Sequence, residues 1–379
     1  MNKKKIIRYL ICIINLPLYY ISYLFPKNKS IWIFGAWFGE KYADNSKILF
    51  EYVNKIDNSI MPIWLTKNRK VYKELKANGF KVYYSYSIYG YYYTAKSGYI
   101  FVSTGMADVN RFVATTRNKI QLWHGTPLKK ILKDAHSQDE SSSLAFIKFL
   151  FVPFNIPKYK LLLSSSENIN ENLSNAFGSM VKKICVLGYP RNDNLFNNEV
   201  TKTIIFLPTH RQEGNSNIKH IFDSFDSIKI NQFLMKYNYT LFVKLHFYDL
   251  ENISIRDSSN IKFISEDIDL YKFLSKTHIL ITDYSSVYFD FLLLNRPIIF
   301  TPFDIDEYMD RDRELYYDYD QVTPGPRCMN WDEVINEIEM IIKGEDNYDD
   351  QRQKINIFFN KYKDSNSSKR IYEYIKDLE

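Results

Sequence analysis

The chain has 379 residues, 45% of them hydrophobic and 25% charged, so it can bury a core of its own and is not a disordered polymer. Its length suits two domains of ordinary size. A net charge of +6 favours anionic partners such as phosphates or membrane surfaces. The lysines are dispersed, however, and no recognition motif is present, which argues against a nucleic-acid partner. Cys12, Cys185 and Cys328 are too scattered to read as a disulfide framework or a metal site, and they suit a reducing compartment. Aromatics are heavy, with 31 Tyr and 27 Phe, a bias from which no site follows.

Lys3-Lys4-Lys5 open the chain ahead of an apolar stretch from Ile6 to Phe25, and Tyr9 to Phe25 carries no charge. That is the short end of a bilayer span, and Phe25-Pro26-Lys27 lacks the small residues of a signal-peptide cleavage site. The expectation is an interfacial helix with its lysines on the cytoplasmic side. A span and a helix buried on the domain are the alternatives.

Beyond Ser30 short apolar strands alternate with helices, the pattern of a parallel sheet covered on both faces. Strands are expected at Ile31–Phe34, Ile60–Leu65, Lys81–Tyr84, Tyr99–Ser103 and Lys119–Trp123. Helices are expected at Ser46–Asn54, with Asp44 or Asn45 as cap, at Lys67–Asn78 and near Tyr89–Ala95. From Asp134 to Pro157 the rhythm breaks, and the apolar piece Leu144–Phe154 reads as an excursion near the membrane or acceptor, or as an ordinary surface helix. It resumes with strand Leu161–Ser164, helix Ile169–Phe177, strand Ile184–Val186 and the turn from Gly188 to Asp193.

A second alternating set follows: Thr203–Leu207, a helical Ile218–Lys236, Thr240–Lys244, Ile261–Phe263, Asp269–Leu274, Ile279–Thr282, a helix Ser286–Leu294 and Ile298–Phe300. Helical pieces Trp331–Lys343 and Asp349–Tyr374 close the chain. The fold class is α/β, with two Rossmann-like domains facing across a cleft. The boundaries fall at residues 1–29 for the membrane-associated segment, 30–187 and 188–345 for the two domains, and 346–379 for a C-terminal helix packing back across them. Ligands in such sheets bind at the carboxyl ends of the strands.

The candidate chemistry sits at those ends. Gln121-Leu-Trp-His124-Gly125-Thr126-Pro127-Leu-Lys129-Lys130 runs an apolar strand into an imidazole, a glycine, a hydroxyl and two cations. An imidazole titrates near neutrality and can take a proton from a hydroxyl, glycine permits close approach, and lysines suit an anionic reactant. Thr240-Leu-Phe-Val-Lys244-Leu-His246 repeats the pattern. Pro208-Thr209-His210-Arg211 adds a guanidinium suited to bidentate phosphate contact, and Arg191 stands in Gly188-Tyr-Pro-Arg, where a structural salt bridge is the competing reading. Asp283-Tyr-Ser285-Ser286 opens a helix whose amino end and hydroxyls could hold phosphate, although plain capping would explain them equally well. Together these strand ends describe a pyrophosphate pocket. No metal-ligand spacing appears, and Asp304-Ile-Asp306 resembles a DxD pair only superficially; a metal-independent reaction without cofactor is expected, cations neutralising the leaving diphosphate.

These motifs, with Trp32-Ile-Phe-Gly-Ala-Trp-Phe-Gly-Glu-Lys-Tyr-Ala-Asp-Asn-Ser-Lys47 and Ser103-Thr-Gly, resemble the CDP-glycerol glycerophosphotransferase family of bacterial teichoic acid synthesis over nearly the whole chain. Two positions depart from the family pattern: His210 stands where Trp is usual, and Phe247 where Pro is usual. The resemblance implies a GT-B-like fold, peripheral attachment to the cytoplasmic face of the cell membrane, and transfer of glycerol phosphate from CDP-glycerol. It implies His124 as the base, and His246, Ser285 and Ser286 as holders of the donor phosphates. The short region ahead of Trp32 resembles the priming enzymes, which act on a polyprenyl-diphosphate-linked disaccharide.

The resulting expectation is that His124 deprotonates an acceptor hydroxyl, which attacks the β-phosphorus and expels CMP. His246 would act beside it, and Gly125, Thr126, Arg191, Thr209, Arg211, Lys244, Asp283, Ser285 and Ser286 would hold the donor. The acceptor would be a lipid-linked saccharide or a growing polyol-phosphate chain. A CDP-ribitol or other CDP-polyol donor in wall or capsule assembly, a nucleotide-sugar glycosyltransferase, and an inactive membrane-bound scaffold are the rival readings.

Overall fold

The computed structural model describes residues 3–135, 152–196, 199–209, 221–245, 257–265, 268–305, 308 and 314–378, with side chains from residue 11 onward. His246, Arg211 and His210 lie outside the described residues, as do most of Leu144–Phe154 and the start of Ile218–Lys236.

The chain forms two compact units, the first comprising Met1–His124, His136–Asp193 and Asn366–Glu379, and the second Gly125–Ala135 and Asn194–Ser365. Neither unit is contiguous in sequence, unlike the domains drawn at 187/188 and 345/346. The chain passes into the second unit directly after His124.

In the first unit, α1 (Lys3–Ile21), β1 (Asn28–Gly35), α2 (Asp44–Ile56), β2 (Met61–Thr66), α3 (Arg69–Ala77), β3 (Val82–Tyr84), α4 (Ile88–Lys96), β4 (Ser97–Val102), β5 (Asn118–Gln121), β6 (Leu161–Ser164), α5 (Asn170–Phe177) and β7 (Ile184–Val186) follow in order. The strands make one seven-stranded sheet ordered β3-β2-β1-β4-β5-β6-β7, parallel at every pairing. Connections reverse direction between β1 and β4, the crevice where such sheets take ligands. Burial explains the pattern: Ile33, Phe34, Ile63, Trp64, Leu65, Ile100, Phe101 and Val102 are all fully buried, as both faces of a helix-covered sheet require.

The second unit repeats the topology in five parallel strands, β8 (Thr203–Leu207), β9 (Thr240–Val243), β10 (Ile261–Phe263), β11 (Ile279–Thr282) and β12 (Ile298–Phe300), ordered β10-β9-β8-β11-β12. Its switch point lies between β8 and β11. Trp331 anchors the core here: its Nε1 donates to the Ile221 carbonyl at 2.7 Å and its ring meets Phe206 edge-on at 5.1 Å. The segment Gly125–Ala135 is tied in by an antiparallel bridge between Lys129 and Leu315.

Two local expectations are corrected. Asp44 and Asn45 do not cap α2: the N-cap is Ala43, without a side-chain bond, because both polar side chains are drawn into the first unit's interior. Asp349–Tyr374 is two helices, Asp349–Phe359 and Ser367–Asp377. The break comes where the Asn360 carboxamide leaves the helix to donate to the Phe289 carbonyl at 2.8 Å. The new helix then starts on Asp193, whose carboxylate accepts from the backbone N–H groups of Ser367 and Ser368, each at 2.8 Å.

The carboxyl ends of β1 and β4 are locked by Asp108, a fully buried acid. One of its oxygens accepts from the backbone amides of Ser103, Thr104 and Gly105 at 3.0, 2.7 and 3.3 Å, and the other from that of Phe38 at 2.7 Å. Its carbonyl oxygen packs so tightly on β1 that a Cβ on Gly35 would lie 2.4 Å from it. Removing the carboxylate leaves buried donors without acceptors. Asp108→Ala should therefore lower unfolding free energy by about 3 kcal/mol or more, read from the urea midpoint; an unchanged midpoint would show that these loops hold without it.

Candidate functional site

His124 follows β5 on a sharply turned backbone. Trp123 takes φ 58 and Gly125 φ 120; the first is a conformation that a bulky residue adopts only under external restraint. The restraint is visible. The Trp123 amide donates to Gln121 Oε1 at 3.1 Å. Asn45 Nδ2 donates to the carbonyls of Leu122 and Trp123 at 3.2 and 2.8 Å, and Asn45 Oδ1 accepts from the Arg191 amide at 3.0 Å. One buried carboxamide thus joins the end of β5, the start of α2 and the turn after β7.

The turned backbone presents the imidazole between two indoles, with centroids 4.0 Å from Trp123 and 5.9 Å from Trp37. Its Nδ1 lies 3.1 Å from the Ser103 carbonyl oxygen. A carbonyl can only accept, so Nδ1 carries the proton and, in the neutral ring, Nε2 carries the lone pair. Ser103 is itself held, its hydroxyl lying 2.8 Å from that of Ser46 and accepting from the Ser46 amide at 3.1 Å. Burial pushes the His124 pKa below its ordinary value, and Arg191 adds to that. Asp44, the Ser103 carbonyl and Asp108 pull the other way without cancelling it. The residue is a neutral imidazole of fixed tautomer near pH 7.

Arg191 makes a buried ion pair with Asp44, Nη1 to Oδ1 at 3.1 Å, with side chains 8% and 5% exposed. The structural reading of this arginine is therefore realised. Asp44 holds φ 65 to reach it. Sequence reasoning missed Asp44, Asn45 and Asp108 as organisers of the site. For Asp108 a signal was available, an acid placed just beyond Ser103-Thr-Gly at a strand end; for Asn45 a helix-start position disguised the role.

In the second unit the carboxyl ends of β8 and β11 are joined by Asp283, whose Oδ1 accepts from the amide and hydroxyl of Thr209 at 2.8 and 2.7 Å and from the Tyr284 amide at 2.6 Å. These bonds fix Thr209 and the turn into Ser285 and Ser286. Those serines are half-buried and precede a helix that runs only from Val287 to Phe291 before tightening. Ser286 makes no capping bond with its side chain, so plain capping does not account for it. Lys244 follows β9, with its amide on the Phe206 carbonyl at 3.0 Å. Gly125 and Thr126 are buried. Lys129 lies over the Tyr308 ring at 4.8 Å, and Lys130 pairs with Glu314. Among the described residues no cluster of His, Cys, Asp or Glu is arranged to hold a metal ion.

Asn45→Ala strips acceptor and donors from three buried backbone groups and should cost about 2–4 kcal/mol of stability. In nitrogen-resolved NMR spectra it should also loosen the fixed His124 tautomer; spectra and melting curve that match the parent would remove Asn45 from the site.

Residues 18–377 match the family model described as CDP-Glycerol:Poly(glycerophosphate) glycerophosphotransferase. The chain is 29% identical to a teichoic acid poly(glycerol phosphate) polymerase of Bacillus spizizenii, over 92% of this chain and 93% of that one. It is 32% identical to a teichoic acid glycerol-phosphate primase of Bacillus subtilis, over 68% of each. Its fold is similar to that of the wall teichoic acid polymerase TagF, with TM-score 0.74, 21% identity, and 99% and 97% of the two chains covered. The chain belongs to the CDP-glycerol:poly(glycerophosphate) glycerophosphotransferase family.

Proposed function

We propose that His124 is the general base of a glycerol-phosphate transfer from CDP-glycerol, the reaction of the family to which this enzyme belongs. The observation that carries the assignment is the Nδ1 bond to the Ser103 carbonyl, which leaves Nε2 as the proton acceptor. An acceptor hydroxyl bound at Nε2 gives up its proton as its oxygen attacks the β-phosphorus, and CMP departs with the bridging oxygen. Proton removal of this kind contributes about 10²–10⁴ in rate. Charge building on the phosphates is met by Lys244, the hydroxyls of Ser285 and Ser286, and, beyond the described residues, His246 and Arg211.

We assign the acceptor as a lipid-linked saccharide or growing polyol-phosphate chain at the cytoplasmic membrane surface. Helix α1 supports that reading. One side is fixed to the first unit: Tyr91 donates to Asn15 Oδ1 at 2.6 Å, Cys12 packs with Phe112 and Phe154, and the Ser22 hydroxyl lies 3.1 Å from that of Thr115. The other side exposes Ile13, Ile14, Ile21 and, just beyond the helix, Leu24, at 59%, 71%, 48% and 82%. Among the described residues no helix is long and apolar enough to cross a membrane, so this apolar face suits the headgroup region.

His124→Ala should reduce CMP release from CDP-glycerol by about 10²-fold or more while leaving donor binding intact; turnover within a few-fold of the parent would remove the base. Because the His124 pKa is depressed, the neutral base persists below the ordinary histidine value. The acid limb of kcat/KM should therefore fall below about 6.5, activity being lost only as pH drops through that lower value. A limb at or above 6.5 would contradict it. Replacing Ile14 and Leu24 together by Ser should weaken co-sedimentation with lipid vesicles about tenfold or more, and unchanged sedimentation would detach α1 from the membrane.

A further inference from the structure

At the opposite ends of the strands from His124, the first unit holds a cavity of about 810 Å³ that the transfer reaction does not use. Its wall carries Arg111, Arg117, Lys119, Lys158, Lys160 and Lys182 and, among the described residues, no carboxylate. Lys119 stands at the amino end of β5 and Lys160 just ahead of β6, so strand geometry fixes these two where the backbone enters the sheet. Lys160 donates to Asn118 Oδ1 at 2.9 Å, which orients it without neutralising it. The Nε of Arg111 is buried with no hydrogen-bond acceptor among the described residues. Lys119 is held down to about 8 by burial, with Lys27 adding to the effect: a cation kept in the company of other cations and short of an anion.

Cations gathered in a concave site without acids repel one another unless an anion joins them. Thr115, Thr116 and Asn118 line the same space; the two hydroxyls donate to the Ser22 and Gly98 carbonyls, and the Asn118 carboxamide keeps one N–H beyond its own bond to Gly98. The volume exceeds a single phosphate and falls in the range of sites that hold a small organic ligand. Tyr19 and Tyr23 of the N-terminal helical segment complete the wall, Tyr19 packing edge-on against Phe154 at 5.9 Å. The segment whose outer face is apolar therefore also closes the basic cavity.

We infer that this cavity binds a phosphate-bearing anion, a phosphoester or diphosphate, presented by a lipid headgroup. The choice of a lipid as its source rests on the membrane reading of α1 given above; the affinity for phosphate does not. Binding there would orient the first unit on the membrane through a contact separate from the base.

The test uses the full chain and a variant with Arg117, Lys158 and Lys182 replaced by Gln. All three are exposed, so the fold should persist, as an unchanged melting curve would verify. Inorganic pyrophosphate is titrated calorimetrically into each in saturating CDP-glycerol, which fills the donor site, and each is sedimented with vesicles of phosphatidylcholine alone or with phosphatidylglycerol added. The expected result is a tenfold or greater loss in the variant of both pyrophosphate binding and the preference for anionic vesicles, with sedimentation on phosphatidylcholine unaltered. Loss of pyrophosphate binding alone, with no vesicle capture by either protein, upholds the phosphate site, assigns it a soluble source and defeats the membrane reading. Equal pyrophosphate binding by both proteins, or none by the parent, overturns the inference.

Discussion

What His124 can do depends on where the backbone of Trp123 is held, and that is decided by one buried carboxamide. Asn45 bonds the Leu122 and Trp123 carbonyls and the Arg191 amide, satisfying groups that would otherwise be orphaned in a dry interior. The left-handed turn at Trp123 is stable only because this network over-determines it. The adjoining Asp44–Arg191 pair and the Asp108 carboxylate extend the same principle. Buried polar groups bonded across these loops specify one arrangement that apolar packing alone would leave degenerate.

The division of labour between the units follows from their shared topology. Each sheet has a switch point, and each switch point is stitched by an aspartate, Asp108 between β1 and β4 and Asp283 between β8 and β11. The first stitch supports an imidazole of defined tautomer; the second supports a turn rich in hydroxyl groups with Lys244 nearby. Both aspartates act by accepting backbone or hydroxyl donors from neighbouring strand ends.

Much of this was legible before any coordinates. Strands Leu161–Ser164, Ile184–Val186, Thr203–Leu207, Ile261–Phe263, Ile279–Thr282 and Ile298–Phe300 coincide with the structure, because strands buried on both faces are short, continuous apolar runs between polar turns. His124 was legible as a strand-end imidazole. Its tautomer was not, since a carbonyl from β4 fixes it and no local pattern encodes that partner. Asn45 read as a cap because capping and long-range bonding call for the same side chain. The break between Phe359 and Ser367 escaped notice because its cause, the Phe289 carbonyl, lies far away in sequence.

The interleaving of the two units bears on how the polypeptide acquires its shape. The first unit contains its own terminal helix, Ser367–Asp377, seated on Asp193, while the second borrows Gly125–Ala135 from the early part of the chain. A polypeptide emerging from the ribosome ordinarily completes its amino-terminal domain first. Here that domain stays unfinished until Asn366–Glu379 has been made, so both halves must mature together, and a truncation ahead of that helix would cripple the half that carries the base as surely as the half it shortens.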